Sequence, residues 1–303
     1  MTEEIVLGGY RRVNVLQTGQ TSEVWEVVEA TGNQRFAMKL LLPEKAGIGS
    51  ERKLLFHEAK IGLKLEHPKI IKFFSYSSDK HNPFILMEYF PSQNLKLRIM
   101  RGQFQEFIKP KFRKLVEQMI LSLDYLHSLG WVHRDVKPDN YLVSKGGDVR
   151  LIDFALAIRA ATSLTRLFAR KNTRIMGTRS YMSPEQIRGL PLDRRADIYS
   201  FGVMLYEMVH GRLPYVASSG QELLKKHITA AVPAFDRDKN VTSEFEALVA
   251  SMMAKKEADR PATLSAVLEQ IRGMKIFKDE SAADQAADGA GKRPGEQRGK
   301  RNG

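Results

Sequence analysis

Residues 131–143 of this 303-residue chain read WVHRDVKPDNYLV. Apolar residues stand at both ends of the stretch, and charged or hydrogen-bonding residues occupy its middle. A carboxylate at Asp135, an ammonium group at Lys137 and a carboxamide at Asn140 fall close together in the chain. What these three groups do together is indicated by the stretches that follow them.

The later stretches come in a fixed order. RLIDFALAI, residues 150–158, begins as a strand pattern that ends in Asp153. GTRSYMSPE follows at residues 177–185. Farther on, a stretch with the apolar spacing of a core helix contains Asp197, and ADRPAT supplies Arg260.

In this order the stretches resemble the signature of eukaryotic-like (Hanks-type) Ser/Thr protein kinases. They match the catalytic loop H-R-D-x-K-x-x-N, the D-F-G motif and the A-P-E end of the activation segment. The resemblance covers residues 10–274, and its overall look is closest to bacterial members of the family. Lys137 inside the catalytic loop, together with GTRSYMSPE, points to Ser/Thr rather than Tyr acceptors.

The resemblance implies a role for each polar group. Phosphoryl transfer needs a positioned hydroxyl group and neutralisation of the charge on the transferred phosphate, with little covalent chemistry. Asp135 is expected to accept or orient the proton of the acceptor hydroxyl group, and Lys137 to place a cation near the phosphate. Asn140 and Asp153 are expected to bind Mg²⁺ or Mn²⁺, which prefer oxygen ligands, with ATP as the co-substrate.

The first lobe is expected to hold the nucleotide. Lys39 resembles the strand lysine that binds the α- and β-phosphates, and Glu58 resembles its partner glutamate, with Glu51 as the alternative. Residues 88–90 resemble the hinge, whose backbone groups read adenine. The implied catalytic set is Asp135, Lys137, Lys39 and Glu58, and the implied ATP-binding set is Leu16, Gly19, Val24, Ala37, Lys39, Glu88, Phe90 and Leu142.

The phosphate loop of the family reads G-x-G-x-x-G-x-V. The corresponding stretch here, LQTGQTSEVW at residues 16–25, has Gln17, Gly19 and Ser22 at the three glycine positions. The Gly19 backbone is still expected to approach the phosphates, and neighbouring N–H groups to donate to them. We therefore interpret this stretch as a phosphate loop that fits its ligand less closely.

Three further positions depart from the family pattern. Ala155 stands at the glycine of D-F-G, and Ser183 stands at the alanine of A-P-E. Gly62 stands where the family has a bulky apolar residue that stacks under the equivalent of Phe154. Phe73, at the neighbouring stacking position, is larger than the usual leucine and is expected to fill the gap.

The stretch QRFAMKLL, residues 34–41, has the alternating pattern of a strand. It predicts Ala37 and Lys39 on one face of the strand and Phe36, Met38 and Leu40 on the other.

The apolar patterns predict a sheet-rich lobe followed by a helical one, which is an α+β fold. The resemblance implies the bilobal protein-kinase fold, with an antiparallel sheet plus one helix in residues 10–88 and a mainly helical lobe in residues 91–274. In the family, the equivalents of Glu185 and Arg260 pair and hold the helical lobe together. Residues 278–303 contain almost no large apolar side chain, so this tail is predicted to be disordered.

The composition limits other functions. The chain is 43% hydrophobic and has a formal net charge of +13. It contains no cysteine, so disulfides and thiolate metal sites are excluded. The basic charge suits anionic partners, but there is no recognisable nucleic-acid motif, and a basic solvated surface is the simpler interpretation. Without a signal-peptide pattern or a membrane-span pattern, we expect a cytoplasmic protein; the sequence defines no oligomeric state.

Two other functions fit part of the sequence. A pseudokinase, a nucleotide-binding scaffold with little transfer activity, is suggested by Gln17, Ser22, Gly62 and Ala155. Such a scaffold would not need the full set of charged residues that this chain carries, which argues against it. A small-molecule phosphotransferase can carry a similar H-x-D-x-x-x-x-N loop, but GTRSYMSPE resembles a segment that docks a polypeptide. The favoured function is therefore phosphorylation of Ser/Thr hydroxyl groups of proteins.

The activation segment leads to a first prediction. Six basic residues lie between Asp153 and Glu185, against those two acidic residues. A phosphate group there adds a charge of roughly −2 and accepts hydrogen bonds from the arginines. Phosphorylation is therefore expected to order the segment and raise activity. Thr173 is the first candidate, and the others are Thr165, Ser163 and Thr162. Mass spectrometry of the active protein should find phosphate between residues 154 and 182, and its absence would favour a basic segment that docks acidic substrates unaided.

Overall fold

An antiparallel sheet forms the first part of the structure. The computed structural model describes residues 6–162 and 176–280. The strand order is β1-β2-β3-β4-β6-β5, and the strands are β1 (Val6–Leu7), β2 (Tyr10–Thr18), β3 (Ser22–Glu29), β4 (Arg35–Leu41), β5 (Phe73–Ser77) and β6 (Phe84–Glu88). Two helices interrupt the strands, α1 (Pro43–Ala46) and α2 (Gly49–Gly62). The sequence predicted α2 but not the single turn of α1.

The side chains of β4 alternate between two cores, as the sequence pattern predicted. Phe36 and Met38 pack in a small cluster on one side of the sheet. Ala37 belongs to the main core on the other side. Residues two apart in a strand share a face, so Lys39 lies on the side of Ala37, toward the helical part of the chain.

Helices dominate the second part of the described structure. They are α3 (Leu95–Met100), α4 (Phe112–Ser128), α5 (Pro184–Ile187), α6 (Arg194–His210), α7 (Gly220–Thr229), α8 (Ser243–Met252) and α9 (Leu264–Gly273), with a π-helical turn at Phe104–Ile108 and a 3-10 turn at Pro138–Asn140. The short strands are β7 (Gln93–Asn94), β8 (Trp131–Val132), β9 (Tyr141–Val143), β10 (Val149–Leu151) and β11 (Ile158–Arg159). They form the sheets β10-β9-β7 and β11-β8. The predicted α+β class, with a sheet followed by helices, is confirmed.

Helix α6 lies at the centre of the helical part. All of residues 196–210 are buried, as expected for a helix surrounded by other elements. The carboxylate of Asp193 caps its start by accepting a hydrogen bond from the N–H of Arg195, and Gly211 ends it with φ 76°. Because charged groups this deep need partners, Asp197 and Glu207 on this helix mark places where other segments must supply hydrogen bonds.

A buried ion pair joins α5 to the loop before α9. The two Nη atoms of Arg260 donate to the two carboxylate oxygens of Glu185 at 2.7 and 2.8 Å. Arg260 also donates to the carbonyl groups of Ala254 and Arg195 at 2.7 and 2.9 Å. The pair implied by the family resemblance is therefore present, and it ties three segments of the helical part together.

The described chain ends against α4. Glu280 accepts a hydrogen bond from Arg113 at 3.0 Å, and Asp279 pairs with Lys109 at 2.6 Å. These contacts involve the first residues of the predicted disordered tail, whereas residues 281–303 lie outside the described structure. No helix within the described ranges is long and apolar enough to cross a membrane.

Arg260→Met is expected to lower the free energy of unfolding by about 3–5 kcal/mol, because it leaves the Glu185 carboxylate buried without its cation. Urea denaturation measures this loss. The control is the double variant Glu185→Gln/Arg260→Met, which should recover part of the stability because no unpaired charge stays buried. An equal loss in the single and the double variant would contradict the prediction.

Candidate active site

Lys39 lies between two carboxylates from different parts of the chain. Its Nζ is 2.6 Å from Oε2 of Glu58 on α2 and 3.8 Å from Oδ1 of Asp153, which follows β10. Lys39 therefore pairs with Glu58 and not with Glu51, the alternative on the same helix. The Glu58 side chain is 2% exposed, whereas that of Asp153 is 37% exposed, so the second carboxylate stays open to a ligand.

Burial and pairing act in opposite directions on these three groups. Burial lowers the pKa of Lys39, but the carboxylates of Asp153 and Glu58 outweigh it and raise that pKa above its ordinary value. Burial raises the pKa of Glu58 to about 7, against the opposing effect of Lys39. Burial also acts to raise the pKa of Asp153, but Lys39 and the N–H of Ala155 prevail and lower it. At neutral pH Lys39 is charged and Asp153 is ionised, whereas Glu58 takes up a proton as the pH falls through about 7.

Asp197, inside α6, fixes the backbone that leads into Asp135. Its Oδ2 accepts a hydrogen bond from the N–H of His133 at 2.7 Å and lies 2.8 Å from His127 Nε2. Its Oδ1 accepts from the N–H of Arg134 at 2.9 Å. Arg134 has φ 67°, a conformation that costs free energy for any residue with a side chain. The buried carboxylate compensates for that cost and sets the position of Asp135.

Four donors surround the carboxylate of Asp135. Oδ1 accepts hydrogen bonds from the N–H and the hydroxyl group of Thr178 at 2.9 and 2.8 Å. Oδ2 lies 2.7 Å from Nζ of Lys137 and accepts from Nδ2 of Asn140 at 3.2 Å. Lys137 also donates to the Thr178 hydroxyl oxygen at 2.8 Å. The predicted residues Asp135, Lys137 and Asn140 are thus brought together, and the orientation of the carboxylate is fixed.

Among the residues that the structure describes, Asn140 and Asp153 each keep a side-chain oxygen free of protein donors. The amide nitrogen of Asn140 donates to the carbonyl oxygen of Asp135 at 2.7 Å, and within the described structure its Oδ1 accepts no hydrogen bond. The backbone carbonyl of Asn140 accepts from the N–H of Ile152 at 2.9 Å, which joins this loop to the residue before Asp153. Asp153 has φ 66°, and the N–H of Ala155 donates to its Oδ1 at 3.1 Å. Ala155 itself keeps a negative φ, so its methyl group is tolerated at the glycine position.

The strand register collects several residues predicted to bind the nucleotide. Gln17 pairs with Val24 across β2 and β3, and Val24 pairs with Lys39 across β3 and β4. Ala37 pairs with Met87, the residue before the hinge. These cross-strand pairs place the phosphate loop, the lysine and the adenine end of the predicted pocket on adjacent strands.

The remaining predicted nucleotide-binding residues differ in burial. Phe90 and Leu142 are partly buried against the main core, whereas Leu16 on β2 is 45% exposed. Gly19 lies in the turn between β2 and β3, where its N–H donates to the carbonyl oxygen of Ser22 at 2.8 Å. A Cβ at Gly19 would lie 3.2 Å from that oxygen, so the glycine allows the tight turn.

Phe73 fills the space that Gly62 leaves. A Cβ at Gly62 would lie 2.5 Å from the Phe73 ring. The ring centroid of Phe73 is 6.0 Å from that of Phe154, which is 5.6 Å from that of His133. The compensation predicted from the sequence is confirmed, because the bulk that the helix lacks is supplied by β5.

The predicted phosphorylation candidates lie mostly outside the described residues. Ser163, Thr165 and Thr173 fall in the range 163–175, which the structure does not describe. Thr162 is described and is exposed. Phosphorylation in this segment therefore stays a prediction.

Two functional contacts were missed in the sequence. Thr178 makes two hydrogen bonds to Asp135, and the available signal was a hydroxyl residue within GTRSYMSPE. Ser183, noted only as a departure from A-P-E, caps α5 by accepting a hydrogen bond from the N–H of Gln186 at 3.3 Å. Both contacts depend on the position of a hydroxyl oxygen, which motif matching does not supply.

Comparison with known proteins adds independent findings. The family model of the protein kinase domain matches residues 10–271. A probable serine/threonine-protein kinase of Clostridium acetobutylicum is 29% identical over 282 residues, which are 91% of this chain and 41% of that protein. The serine/threonine-protein kinase PknL of Mycobacterium tuberculosis is 33% identical over 263 residues, which are 84% of this chain and 64% of that protein. The chain therefore spans less than two thirds of the length of these relatives.

Gly62→Leu is expected to lower the free energy of unfolding by about 1–3 kcal/mol, because the added side chain overlaps the Phe73 ring. The control is the exchange Gly62→Leu/Phe73→Leu, which keeps the total side-chain volume similar and should restore most of the stability. Urea denaturation of both variants measures the difference. If the exchange is no more stable than the single variant, Phe73 does not compensate for Gly62.

Proposed function

Because the chain belongs to the protein kinase domain family, we propose that it is an ATP-dependent serine/threonine protein kinase. It transfers the γ-phosphate of ATP to Ser or Thr hydroxyl groups of proteins. The arrangement around Asp135 is the observation that carries this proposal. A carboxylate fixed by Thr178, Lys137 and Asn140 meets the need of phosphoryl transfer for a positioned acceptor and a nearby cation.

In the proposed reaction, Asp135 orients the acceptor hydroxyl group and takes up its proton. The hydroxyl oxygen bonds to the γ-phosphorus, the bond from that phosphorus to the β–γ bridging oxygen breaks, and ADP leaves. Lys137, 2.7 Å from the Asp135 carboxylate, places a positive charge where the phosphoryl group passes. Preorganised charge of this kind stabilises the transition state because it does not have to reorient during the reaction.

Asn140 and Asp153 are the proposed ligands of Mg²⁺ or Mn²⁺. Both carry oxygen atoms, which hard divalent ions prefer, and the lowered pKa of Asp153, set by Lys39 and the Ala155 N–H against burial, keeps it ionised at neutral pH. Among residues 6–162 and 176–280, no three His, Asp or Glu side chains converge into a metal site of their own. Phosphate oxygens of the nucleotide and water would therefore complete the coordination, and the ion would neutralise charge on the phosphates.

ATP is proposed to bind with its adenine ring against residues 88–90. The backbone N–H of Phe90 donates to no group in the described protein, so it is available to the ring. Val24, Ala37 and Leu142 would contact the faces of adenine. Lys39, held by Glu58 at 2.6 Å, would bind the α- and β-phosphates.

Protein acceptors are the proposed substrates. The relatives are named serine/threonine-protein kinases, and Lys137 joins the catalytic loop to GTRSYMSPE through its hydrogen bond to Thr178. That segment resembles the part of the family that docks a polypeptide. Regulation by phosphorylation of the activation segment, a role in signalling and a cytoplasmic location belong to the same proposal.

A nucleotide-binding scaffold is the second candidate, and Gln17 and Ser22 in the phosphate loop are the observation that favours it. It requires that the protein bind ATP yet transfer no phosphate to any acceptor. Labelled phosphate from ATP, followed into the protein itself and into a generic basic protein, separates the two functions. The full set of charged residues around Lys39 and Asp135 favours the active enzyme.

Asp135→Asn is expected to fold and bind ATP but to lose phosphoryl transfer by about a hundred- to ten-thousand-fold. The amide keeps the shape of the side chain, but it cannot take up the hydroxyl proton. Transfer is measured with labelled ATP, and a nucleotide titration with thermal unfolding serves as the control for binding and folding. Turnover near that of the wild type would remove Asp135 from its assigned role.

Gln17→Gly/Ser22→Gly is expected to lower KM for ATP several-fold while kcat changes little. The two side chains limit only how closely the loop fits, which affects the ground state and the transition state alike. The measurement is steady-state kinetics at saturating Mg²⁺. Gln20→Gly, in the same loop but not at a glycine position of the family, is the matched control, and an equal effect there would show general loosening of the loop instead.

A further inference from the structure

Arginine side chains hold all three residues of the hinge, 88–90. We propose that Arg150 and Arg35 are positioning residues that set the hinge backbone for nucleotide binding, an inference that rests on the proposed function. Neither arginine belongs to the nucleotide-binding set predicted from the sequence. Each acts through the hinge side chains that it contacts.

Arg150, on β10, holds the first and the last hinge residue. Its Nε lies 3.3 Å from both carboxylate oxygens of Glu88, and its Nη2 lies 3.2 Å from Oε1. A guanidinium group that binds a carboxylate through more than one hydrogen bond fixes direction as well as distance. The guanidinium carbon also lies 4.5 Å from the ring centroid of Phe90, within the range of a cation–π contact.

Arg150 also lies beside residues of the predicted nucleotide pocket. Arg150 pairs with Leu142 in the register of β9 and β10, and Leu142 is a proposed adenine contact. The same strand leads into Asp153, a proposed metal ligand. One hairpin therefore carries an adenine contact, the approach to the metal site and the residue that grips the hinge, so a shift of the hinge against it would alter the space for adenine.

Arg35, on β4, holds the middle hinge residue from the sheet. Its Nη2 donates to the hydroxyl group of Tyr89 at 3.0 Å, and its guanidinium carbon lies 4.3 Å from the Tyr89 ring centroid. Its Nε donates to Oε1 of Glu26 at 2.6 Å. Glu26 is buried and also accepts a hydrogen bond from Asn14 at 3.2 Å, so Arg35 is anchored within the sheet while it contacts the hinge.

The two arginines come from different lobes and together fix the hinge against both. The hinge would contact adenine equally before and during phosphoryl transfer. Loss of either arginine should therefore weaken nucleotide binding and raise KM for ATP, with little change in kcat. A purely structural role would lower the melting temperature without separating KM from kcat.

The experiment is a titration of Mg-ADP into the full chain, followed by steady-state kinetics with ATP. Arg150→Met is expected to raise Kd for Mg-ADP and KM for ATP by about three- to tenfold, as for a partly exposed ion pair with a cation–π contact. Arg35→Met should have a smaller effect, because the Arg35 side chain is 51% exposed. The matched control is Arg212→Met, which breaks an exposed pair with Asp236 at 2.9 Å and should change neither constant.

Two further variants test the contact itself. Arg150→Lys keeps the charge but not the planar fork, so it should restore only part of the affinity. Glu88→Gln should weaken binding of Mg-ADP. The double variant Glu88→Gln/Arg150→Met should bind no more weakly than Arg150→Met alone, because both changes remove the same Glu88–Arg150 ion pair.

The outcomes separate the inference from the proposed function. If the wild type binds Mg-ADP and Arg150→Met binds it equally well, the inference is overturned while the proposed function stands. The same holds if Arg150→Met lowers only kcat or only the melting temperature. If the wild type binds no nucleotide at all, the proposed function fails and the inference fails with it.

Discussion

The buried carboxylate of Asp197 is the constraint on which the candidate active site depends. The residue is 0% exposed, and a charge at that depth needs donors to offset the loss of water. It finds them in the backbone N–H groups of His133 and Arg134. Those hydrogen bonds in turn stabilise the left-handed conformation of Arg134, which costs free energy because the residue is not a glycine. The hydrogen bonds from the backbone of His133 and Arg134 to Asp197 on α6 therefore fix the position of Asp135.

The two carboxylates beside Lys39 are also governed by burial and by their partners, but their pKa values shift in opposite directions. Glu58 is almost fully buried, and burial raises its pKa to about 7 against the opposing effect of Lys39. Burial acts on Asp153 in the same direction, but Lys39 and the N–H of Ala155 outweigh it and lower the pKa of Asp153. The Lys39–Glu58 pair therefore weakens as the pH falls and Glu58 takes up a proton. Because Asp153 stays ionised across that range, the partly open carboxylate remains suited to a cation.

Departures from the family pattern are compensated close to where they occur. The volume missing at Gly62 is filled by Phe73 from the adjacent strand. Ser183 gains a helix-capping hydrogen bond to Gln186, which an alanine would not supply. Ala155 keeps a negative φ, so its backbone N–H still reaches Asp153. Each change alters a local contact and leaves the positions of the charged groups in place.

The sequence by itself determined the class of fold, the face of β4 that carries Lys39 and the identity of the charged groups, because these follow from periods of two or 3.6 residues and from short motifs. It left Glu58 and Glu51 open as partners of Lys39. They lie about two helical turns apart on the same face, so the placement of α2 against β4 decided between them. The tertiary structure also decided the contacts of Thr178 with Asp135 and of Arg150 with Glu88, which join residues 43 and 62 positions apart. No local pattern encodes such pairs, because their distance is set by how the packed elements bring separate segments together.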